Sequence, residues 1–407
     1  MDDIGRRYLT LALRLNRHFE GFVDAYFGPP ELKAEVEGPQ PRPLQDLASD
    51  ARELKVAIQR SDYDPQRKDF LLGQTRAMSA MIRKLSGEQL DYVGEVELCF
   101  DIRPEMVDEA VLESFRAEMD SLLPGKVPLA DRVLAWEKSV ELQPDCVLAV
   151  CERLVEEART RTRALFDLPT EEGICLQLVE NQPWQAYNWY LGQGRSRIDL
   201  STDLPIGIER VVPAMPHETY PGHHTELAIK ERLLYRYKGW AEHSIVASGP
   251  QAVISEGLAM WAWEIIFEGS QLADFLRDEL YPLAGLGAQQ VERDIGVIRA
   301  NESTIGVVDG NAALMLHRDG RAPEEVQEYL AYYGLVTPER AAKGLEFMLH
   351  PLSRSYIFNY AVGRKLLGPL LQGPDRVENY ARLLREPFTP SQVRQWVAER
   401  PSTQQAC

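Results

Sequence analysis

Apolar residues at helical spacing recur along most of the chain, and this periodicity constrains the fold more than any other feature. In one stretch they are Val107, Val111, Phe115, Met119 and Leu122. Residues three or four positions apart share one face of a helix, so the pattern predicts an amphipathic helix with a buried face. Short breakers rich in proline and glycine separate such stretches. The chain is therefore predicted to be mainly α-helical.

One region departs from this periodicity, between about residues 173 and 203. Segments 174–179, 184–190 and 195–200 are short, rich in β-branched and aromatic residues, and separated by turn residues. Such segments are typical of strands. We expect a small antiparallel β-sheet immediately before the histidine-rich segment.

The length of 407 residues would allow more than one domain, but no long or low-complexity linker interrupts the chain. We predict a single mainly helical domain over residues 1–407. Within it, residues 1–168 are predicted to form a helical N-terminal or cap part. Residues 169–407 are predicted to form the catalytic part, with the sheet and a metal site.

Composition bears on partners and location. The 45 Lys and Arg against 62 Asp and Glu give a formal net charge of -17, which disfavours binding to nucleic acid or to an anionic membrane. No stretch approaches the roughly 18 uninterrupted apolar residues of a membrane span, and the first residues lack the apolar centre of a signal peptide. We therefore expect no nucleic-acid partner, no membrane partner and a cytoplasmic location. Five cysteines without CxxC spacing argue against a thiolate metal site.

The residues most indicative of chemistry lie in one short segment. Three of the seven histidines, His217, His223 and His224, fall within eight residues and accompany Glu218. Zinc prefers imidazole and carboxylate ligands, and a hydrolytic zinc site keeps one position for water. A glutamate beside the first ligand can accept the proton of that water. The segment predicts one bound Zn²⁺ ion, with Glu218 as general base.

The spacing of these histidines differs from the HExxH motif, whose ligands at i and i+4 share one helix face. Position i+4 is Pro221 here. On an ideal helix His223 would point about 240° away from His217, and His224 would lie about 10 Å further along the axis. An unbroken helix would therefore bring neither to the metal. Pro221 and Gly222 favour a break that could fold the second ligand back, which leaves both histidines as candidates.

The run 217–224, together with residues 255–264, resembles the bacterial family called domain of unknown function 885, whose fold is similar to that of the gluzincin-like Taq-type zinc carboxypeptidases. The likeness spans roughly residues 170–371. Those carboxypeptidases carry His-Glu-x-Gly-His, and this chain resembles a lengthened form that keeps the Gly222-His223 pair. The resemblance therefore implies His217 and His223 as metal ligands, with His224 as the alternative to His223.

The same resemblance implies further site residues. Glu256 occupies the place of the third metal ligand, and Tyr360 that of a residue which stabilises the oxyanion. We also predict substrate binding by Tyr356 and by Arg364, whose guanidinium could pair with a substrate carboxylate. A surface ion pair is the alternative for Arg364. Glu264 is a candidate for orienting a histidine ring.

These features predict a zinc-dependent metallohydrolase, and the resemblance implies a carboxypeptidase-like peptidase with a peptide or small amide as substrate. Two alternatives stay open. One is a non-catalytic helical binding protein that retains the metallopeptidase scaffold. The other is a non-haem iron enzyme, because two histidines and a carboxylate also bind iron(II).

Overall fold

The computed structural model describes residues 1–38, 40–182, 184–351 and 353–400. Residues 401–407, the end of the predicted catalytic part with Cys407, lie outside this description. Helices make up 66% of the chain and strands 8%, which confirms a mainly helical fold with small sheets.

Eight helices are described before the three-stranded sheet: α1 (Asp3–Asn16), α2 (Pro30–Val36), α3 (Leu44–Arg60), α4 (Pro65–Leu85), α5 (Tyr92–Phe100), α6 (Glu109–Leu122), α7 (Leu129–Ser139) and α8 (Val147–Leu165). After the sheet follow α9 (Ile208–Glu218), α10 (His223–Lys230), α11 (Pro250–Ile266), α12 (Gln271–Phe275), α13 (Tyr281–Ala284), α14 (Val291–Thr304), α15 (Val307–His317), α16 (Pro323–Gly334), α17 (Pro338–Leu349), α18 (Ser353–Tyr356), α19 (Phe358–Leu371), α20 (Arg376–Arg385) and α21 (Pro390–Glu399). The strands are β1 (Val23–Tyr26), β2 (Gly173–Val179), β3 (Ala186–Gly192), β4 (Arg195–Ser201) and β5 (Ile245–Ala247).

Several helices begin at residues that satisfy the free N–H groups of the first turn. The Asp64 carboxylate accepts hydrogen bonds from the backbone N–H groups of Gln66 and Arg67 at the start of α4. At the start of α21, Thr389 and Gln392 form a reciprocal capping box. These local signals explain why the helix boundaries lie close to the positions that periodicity indicates.

The larger sheet has the strand order β2-β4-β3. β3 and β4 form an antiparallel hairpin, as predicted, but β2 pairs with β4 in parallel, so the prediction of a fully antiparallel sheet is wrong. The chain passes from β2 to the far edge and returns through β4, which lies between the other two strands. Side-chain alternation indicates where strands form and not the order in which they pair.

A second sheet of two strands, β1 and β5, was not predicted. It joins the predicted cap part to the chain just before α11. The helices of the cap pack around buried residues such as Leu9, Leu47 and Phe70, and Ile245 of β5 belongs to the same apolar cluster. The predicted division at residue 168 therefore does not separate the apolar cores, while the assignment of one domain stays a prediction.

A larger apolar cluster connects α6–α9 with the helices around the histidine-rich segment. Its buried residues include Leu154, Met215, Trp263 and Tyr380. Each large apolar side chain buried in this way contributes on the order of 1.5–3 kcal/mol. The histidine-rich segment is thus held on a rigid scaffold.

None of the helices in the part of the chain that the structure describes combines the length and apolar character needed to cross a membrane.

Candidate metal centre

The helix breaks inside the histidine-rich segment, as the sequence predicts. α9 ends at Glu218 and α10 begins at His223, and between them Thr219 has φ -117° and ψ -93°, outside the helical region. The break brings the His223 ring back to His217, with their Nε2 atoms 3.1 Å apart. Their rings are perpendicular, with centroids separated by 4.7 Å.

Gly222 makes this turn possible. A Cβ atom at this position would lie 1.9 Å from the carbonyl oxygen of His217 and 2.5 Å from that of Pro216. Any other residue would therefore force the turn apart. The Gly222 N–H donates to the Pro216 carbonyl at 3.0 Å, and the Tyr380 hydroxyl donates to the Pro221 carbonyl at 3.2 Å. The turn is thus supported both from within and by α20.

Glu256 on α11 completes a group of three potential ligands. Its Oε2 atom lies 3.3 Å from His217 Nε2 and 3.7 Å from His223 Nε2. Glu256 is 5% exposed, and Oε2 has no hydrogen-bond partner in the structure. A buried carboxylate oxygen without a hydrogen bond is costly unless a cation binds it. Two imidazole nitrogens and one carboxylate oxygen also form a donor set that suits zinc, so these residues fit the predicted ion.

The electrostatics of this group favour positive charge. Burial alone would raise the pKa of Glu256, but the neighbouring charge of His223 lowers it well below its usual range. Burial alone would lower the pKa of His223, but the Glu256 carboxylate raises it to about 9. The Glu256 carboxylate therefore stabilises positive charge at the facing nitrogen of His223.

A hydrogen-bonded relay orients the His223 ring. Its Nδ1 atom lies 3.1 Å from Ser255 Oγ, and Ser255 Oγ lies 2.5 Å from Glu226 Oε2. Lys230 pairs with the other oxygen of Glu226 at 2.6 Å. Because the Glu226 carboxylate can only accept, Ser255 donates to it and accepts from the Nδ1–H of His223. When the ring is neutral, as a metal ligand must be, its Nε2 atom therefore carries a lone pair facing His217 and Glu256.

Glu218, the predicted general base, lies at the end of α9. Asn188 of β3 donates its side-chain N–H to the backbone carbonyl of Glu218 at 2.7 Å, which fixes the sheet against this end of the helix. The Glu218 side chain is half-buried. Burial and the charge of Glu256 raise the pKa of Tyr360, and the charge of Glu218 adds to this rise, so the carboxylate lies within electrostatic reach of Tyr360.

Both predicted tyrosines lie at the site. The Tyr356 hydroxyl donates to Glu256 Oε1 at 2.6 Å. The Tyr360 ring lies nearly parallel to the His217 ring, at 25° with centroids 6.5 Å apart. Burial, followed by the charge of Glu256, raises the pKa of each tyrosine well above its usual value. Both hydroxyls therefore stay protonated and can donate hydrogen bonds.

Two glycines allow α11, which carries Glu256, and α19, which carries Tyr360, to approach each other closely. A Cβ atom at Gly363 would lie 2.4 Å from the Val253 carbonyl oxygen, and one at Gly257 would lie 2.7 Å from the Gly363 carbonyl oxygen. The helix backbones are therefore in direct contact. Because Gly257 follows Glu256, this contact lies next to the third potential ligand.

His224, the alternative ligand, points away from this group. Its Nδ1 atom lies 2.8 Å from Ser196 Oγ and its Nε2 atom 3.2 Å from Glu172 Oε2. Glu172 also accepts a hydrogen bond from Tyr220. Burial lowers the pKa of His224. The structure thus places His224 in a buried network beneath the sheet.

Arg364 is engaged within the protein. Its Nη2 atom lies 2.5 Å from Glu264 Oε1, and its Nη1 atom donates to the Met260 carbonyl at 2.7 Å. The structure therefore does not present Arg364 as a free partner for a substrate carboxylate. Glu264 likewise pairs with Arg364 rather than with a histidine ring. The geometry matches the ion-pair alternative, in a partly buried form.

Some residues of the site were missed by the sequence analysis. Ser255 and Glu226 could have been found, since one precedes Glu256 and the other lies three residues after His223. Glu302 of α14 is buried near His217; burial raises its pKa to about 7, while the charges of Arg364 and His217 oppose the rise. No local pattern singled it out.

Comparisons with other proteins bear on the fold. No model of a known protein family matches the chain, and no curated protein matches it. The fold is similar to "the putative lipoprotein from Colwellia psychrerythraea", with a TM-score of 0.55 and 13% identity over 87% of this chain and 67% of that chain. It is also similar to "a putative lipoprotein of unknown function from Shewanella oneidensis", with a TM-score of 0.50 and 11% identity over 88% of this chain and 71% of that one.

A third similar structure is that of a protein called BsuCP, with a TM-score of 0.43 and 14% identity over 98% of this chain and 90% of that chain. We draw no argument from so low a TM-score. At such identities the first two structures show a shared fold and nothing about activity.

Proposed function

We propose that this protein is a zinc-dependent hydrolase of amide bonds, and a peptidase of the gluzincin type implied by its resemblance to the domain of unknown function 885 family. The observation that carries the proposal is the convergence of His217, His223 and Glu256, in which a buried carboxylate oxygen has no hydrogen bond. Glu218 adjoins the first of these residues in the chain. A structural metal site alone would not require that neighbouring base.

The residues of the site have separate tasks in this proposal. A bound zinc ion supplies Lewis acidity, which lowers the pKa of water to about 7 and polarises a carbonyl group. Glu218 accepts the proton of the attacking water and passes it to the leaving amine. Tyr360 donates a hydrogen bond to the developing oxyanion. Tyr356, whose hydroxyl is bonded to Glu256, positions that carboxylate.

An extended peptide fits the surroundings of the site. β3 is an edge strand and is held against the end of α9 by Asn188, so a peptide could pair with it along the backbone. Aromatic side chains line this strand: Tyr187 packs against Trp184 and Trp189, with ring centroids 5.3 Å and 4.6 Å away. A cytoplasmic location stays a prediction.

The test is the metal content of the purified protein, measured by elemental mass spectrometry beside His223→Gln and Glu256→Gln. Glu346→Gln, at an exposed position on α17, is the matched control. We expect nearly one zinc per wild-type and control chain, little in the two site variants, and chelator-sensitive cleavage of a peptide library. Tightly bound zinc without cleavage would support the binding-protein alternative, and iron with oxygen-dependent activity would support the iron enzyme.

A further inference from the structure

Asp24 lies at an irregularity in the small sheet. In the pairing of β1 with β5, Val23 lies opposite Ala247 and Ala25 opposite Val246, so Asp24 is the extra residue of a β-bulge. Bulges turn a side chain away from the regular alternation of a strand and are frequent beside active sites. β1 also contacts β3, the edge strand next to α9. The bulge in the cap part thus lies on a strand that borders the catalytic part.

The Asp24 carboxylate lies within electrostatic reach of the candidate site. Burial raises its pKa to about 6; the charge of His223 opposes this rise, and the charges of Glu218 and Glu256 add to it. The charge of Asp24 in turn adds to the raised pKa of Tyr356. Among the described residues whose charges shift the pKa of Asp24 there is no lysine or arginine. Asp24 as a residue reaches the surface, although its carboxylate is enclosed enough for burial to be the main cause of its raised pKa. Asp24 therefore contributes a negative charge to the site that no arginine or lysine compensates.

The balance of charge around the site indicates what a substrate must bring. Glu218, Glu256 and Asp24 are three carboxylates, which outnumber the two positive charges of a zinc ion. Arg364 cannot restore the balance for an anionic substrate, because Glu264 already pairs with it at 2.5 Å. A substrate carboxylate would therefore be repelled here, whereas an ammonium group would be attracted.

We propose that Asp24 is a specificity-determining residue that binds a positively charged nitrogen of the substrate next to the bond to be cleaved. The inference rests on the proposed function and refines it, because it assigns recognition to a cationic group rather than to a terminal carboxylate. The nitrogen is either the free N-terminal ammonium of a peptide or a basic side chain. Both would form a charge-assisted hydrogen bond with the Asp24 carboxylate.

The test compares zinc-loaded wild type, Asp24→Asn and Asp62→Asn. The last is a matched control at an exposed position outside the site. The probes are Leu-Gly-Gly, its N-acetylated and C-amidated forms, and N-acetyl-Lys-Gly-Gly. Cleavage gives kcat and KM for each. Glu218→Gln is then added to each of the three proteins to prevent cleavage, and calorimetry gives the affinity of each for the peptides. Elemental analysis gives the zinc content of every protein.

We expect wild type and Asp62→Asn to prefer the free peptide over its N-acetylated form by about 10- to 100-fold, mainly through KM, and to tolerate the C-terminal amide. Asp24→Asn should lose this preference and keep its zinc. If wild type handles N-acetyl-Lys-Gly-Gly as well as free Leu-Gly-Gly, the site also accepts a basic side chain. If it handles it no better than N-acetylated Leu-Gly-Gly, the site recognises only the N-terminal ammonium.

Equal handling by wild type of Leu-Gly-Gly, its N-acetylated form and N-acetyl-Lys-Gly-Gly, or an unchanged preference in Asp24→Asn, would overturn the proposal. Loss of zinc from Asp24→Asn would also overturn it and make Asp24 a metal ligand. If no peptide is cleaved but the zinc-loaded protein still binds the free form more tightly in an Asp24-dependent way, the hydrolase assignment fails while recognition of the cation stands.

Discussion

Removing the hydroxyl of Ser255 should weaken zinc binding without touching a ligand. In the structure this hydroxyl donates to Glu226 and accepts from His223 Nδ1–H, so it holds the ring in the tautomer whose Nε2 carries a lone pair. In Ser255→Ala the neutral ring is free to carry its proton on Nε2 instead of Nδ1, and to rotate. Loss of such an outer partner typically costs 10- to 100-fold in metal affinity, or about 1.4–2.7 kcal/mol.

The assay is a competition titration of zinc against a chelator of known affinity at fixed pH. Ser114→Ala is the control, because that exposed serine bonds only to a carbonyl of its own helix. Ser255→Thr retains a hydroxyl and should recover much of the affinity. If Ser255→Ala loses less than about twofold in zinc affinity, far less than the expected loss, the assigned direction of these hydrogen bonds and the tautomer derived from it are refuted.

Three further predictions concern stability. In denaturant titrations, Gly363→Ala should lower the free energy of unfolding by about 1–3 kcal/mol, because its Cβ would meet a backbone carbonyl oxygen at 2.4 Å. Gly373→Ala is the control, because a Cβ there would enter open space. In excess chelator, thermal stability should fall as the pH rises from about 6.5 to about 9. The pKa of His223 is raised in the folded protein, so the proton on His223 stabilises the fold and this stabilisation is lost when the proton leaves. In thermal unfolding, His223→Gln should show a weaker pH dependence. Burial alone would raise the pKa of Glu172, but its hydrogen bonds lower the pKa to about 2. Its contribution to the stability of the fold should therefore be complete above about pH 4.5 and decrease towards pH 2. In denaturant titrations at neutral pH, Glu172→Gln should lower the free energy of unfolding by about 3–5 kcal/mol.

The parts of the fold that follow from sequence are those with a local physical signature. A helix such as α6 displays its buried face every three or four residues, so its position is predictable within a few residues. The strands β2, β3 and β4 were also recognisable, but their order was not, because side-chain alternation carries no information about the neighbouring strand. β1 and β5 contain four and three residues, too few for a period to be seen.

The candidate site likewise contains some residues that the sequence indicates and others that it does not. His217, Glu218 and His223 are close in sequence, and Glu256 was found through a resemblance of motifs. Asp24 was not found, because its proximity to the site depends on a bulge in a strand that is itself invisible in the sequence. The engagement of Arg364 by Glu264 was also out of reach, since the two residues are 100 positions apart.

The adjacent histidines show why the break in the helix matters more than the spacing of the motif. Neighbouring residues on a helix point about 100° apart, so a single orientation of α10 cannot bring both His223 and His224 to one ion. The turn before α10 directs His223 to the open side, where Ser255 and Glu256 lie, and consequently sends His224 to the buried side against Glu172. Gly222 decides this outcome, because only glycine lets the chain pass within contact of the His217 carbonyl. The histidine that joins His217 and Glu256 is therefore selected by the backbone of the turn, and not by the number of residues between the histidines.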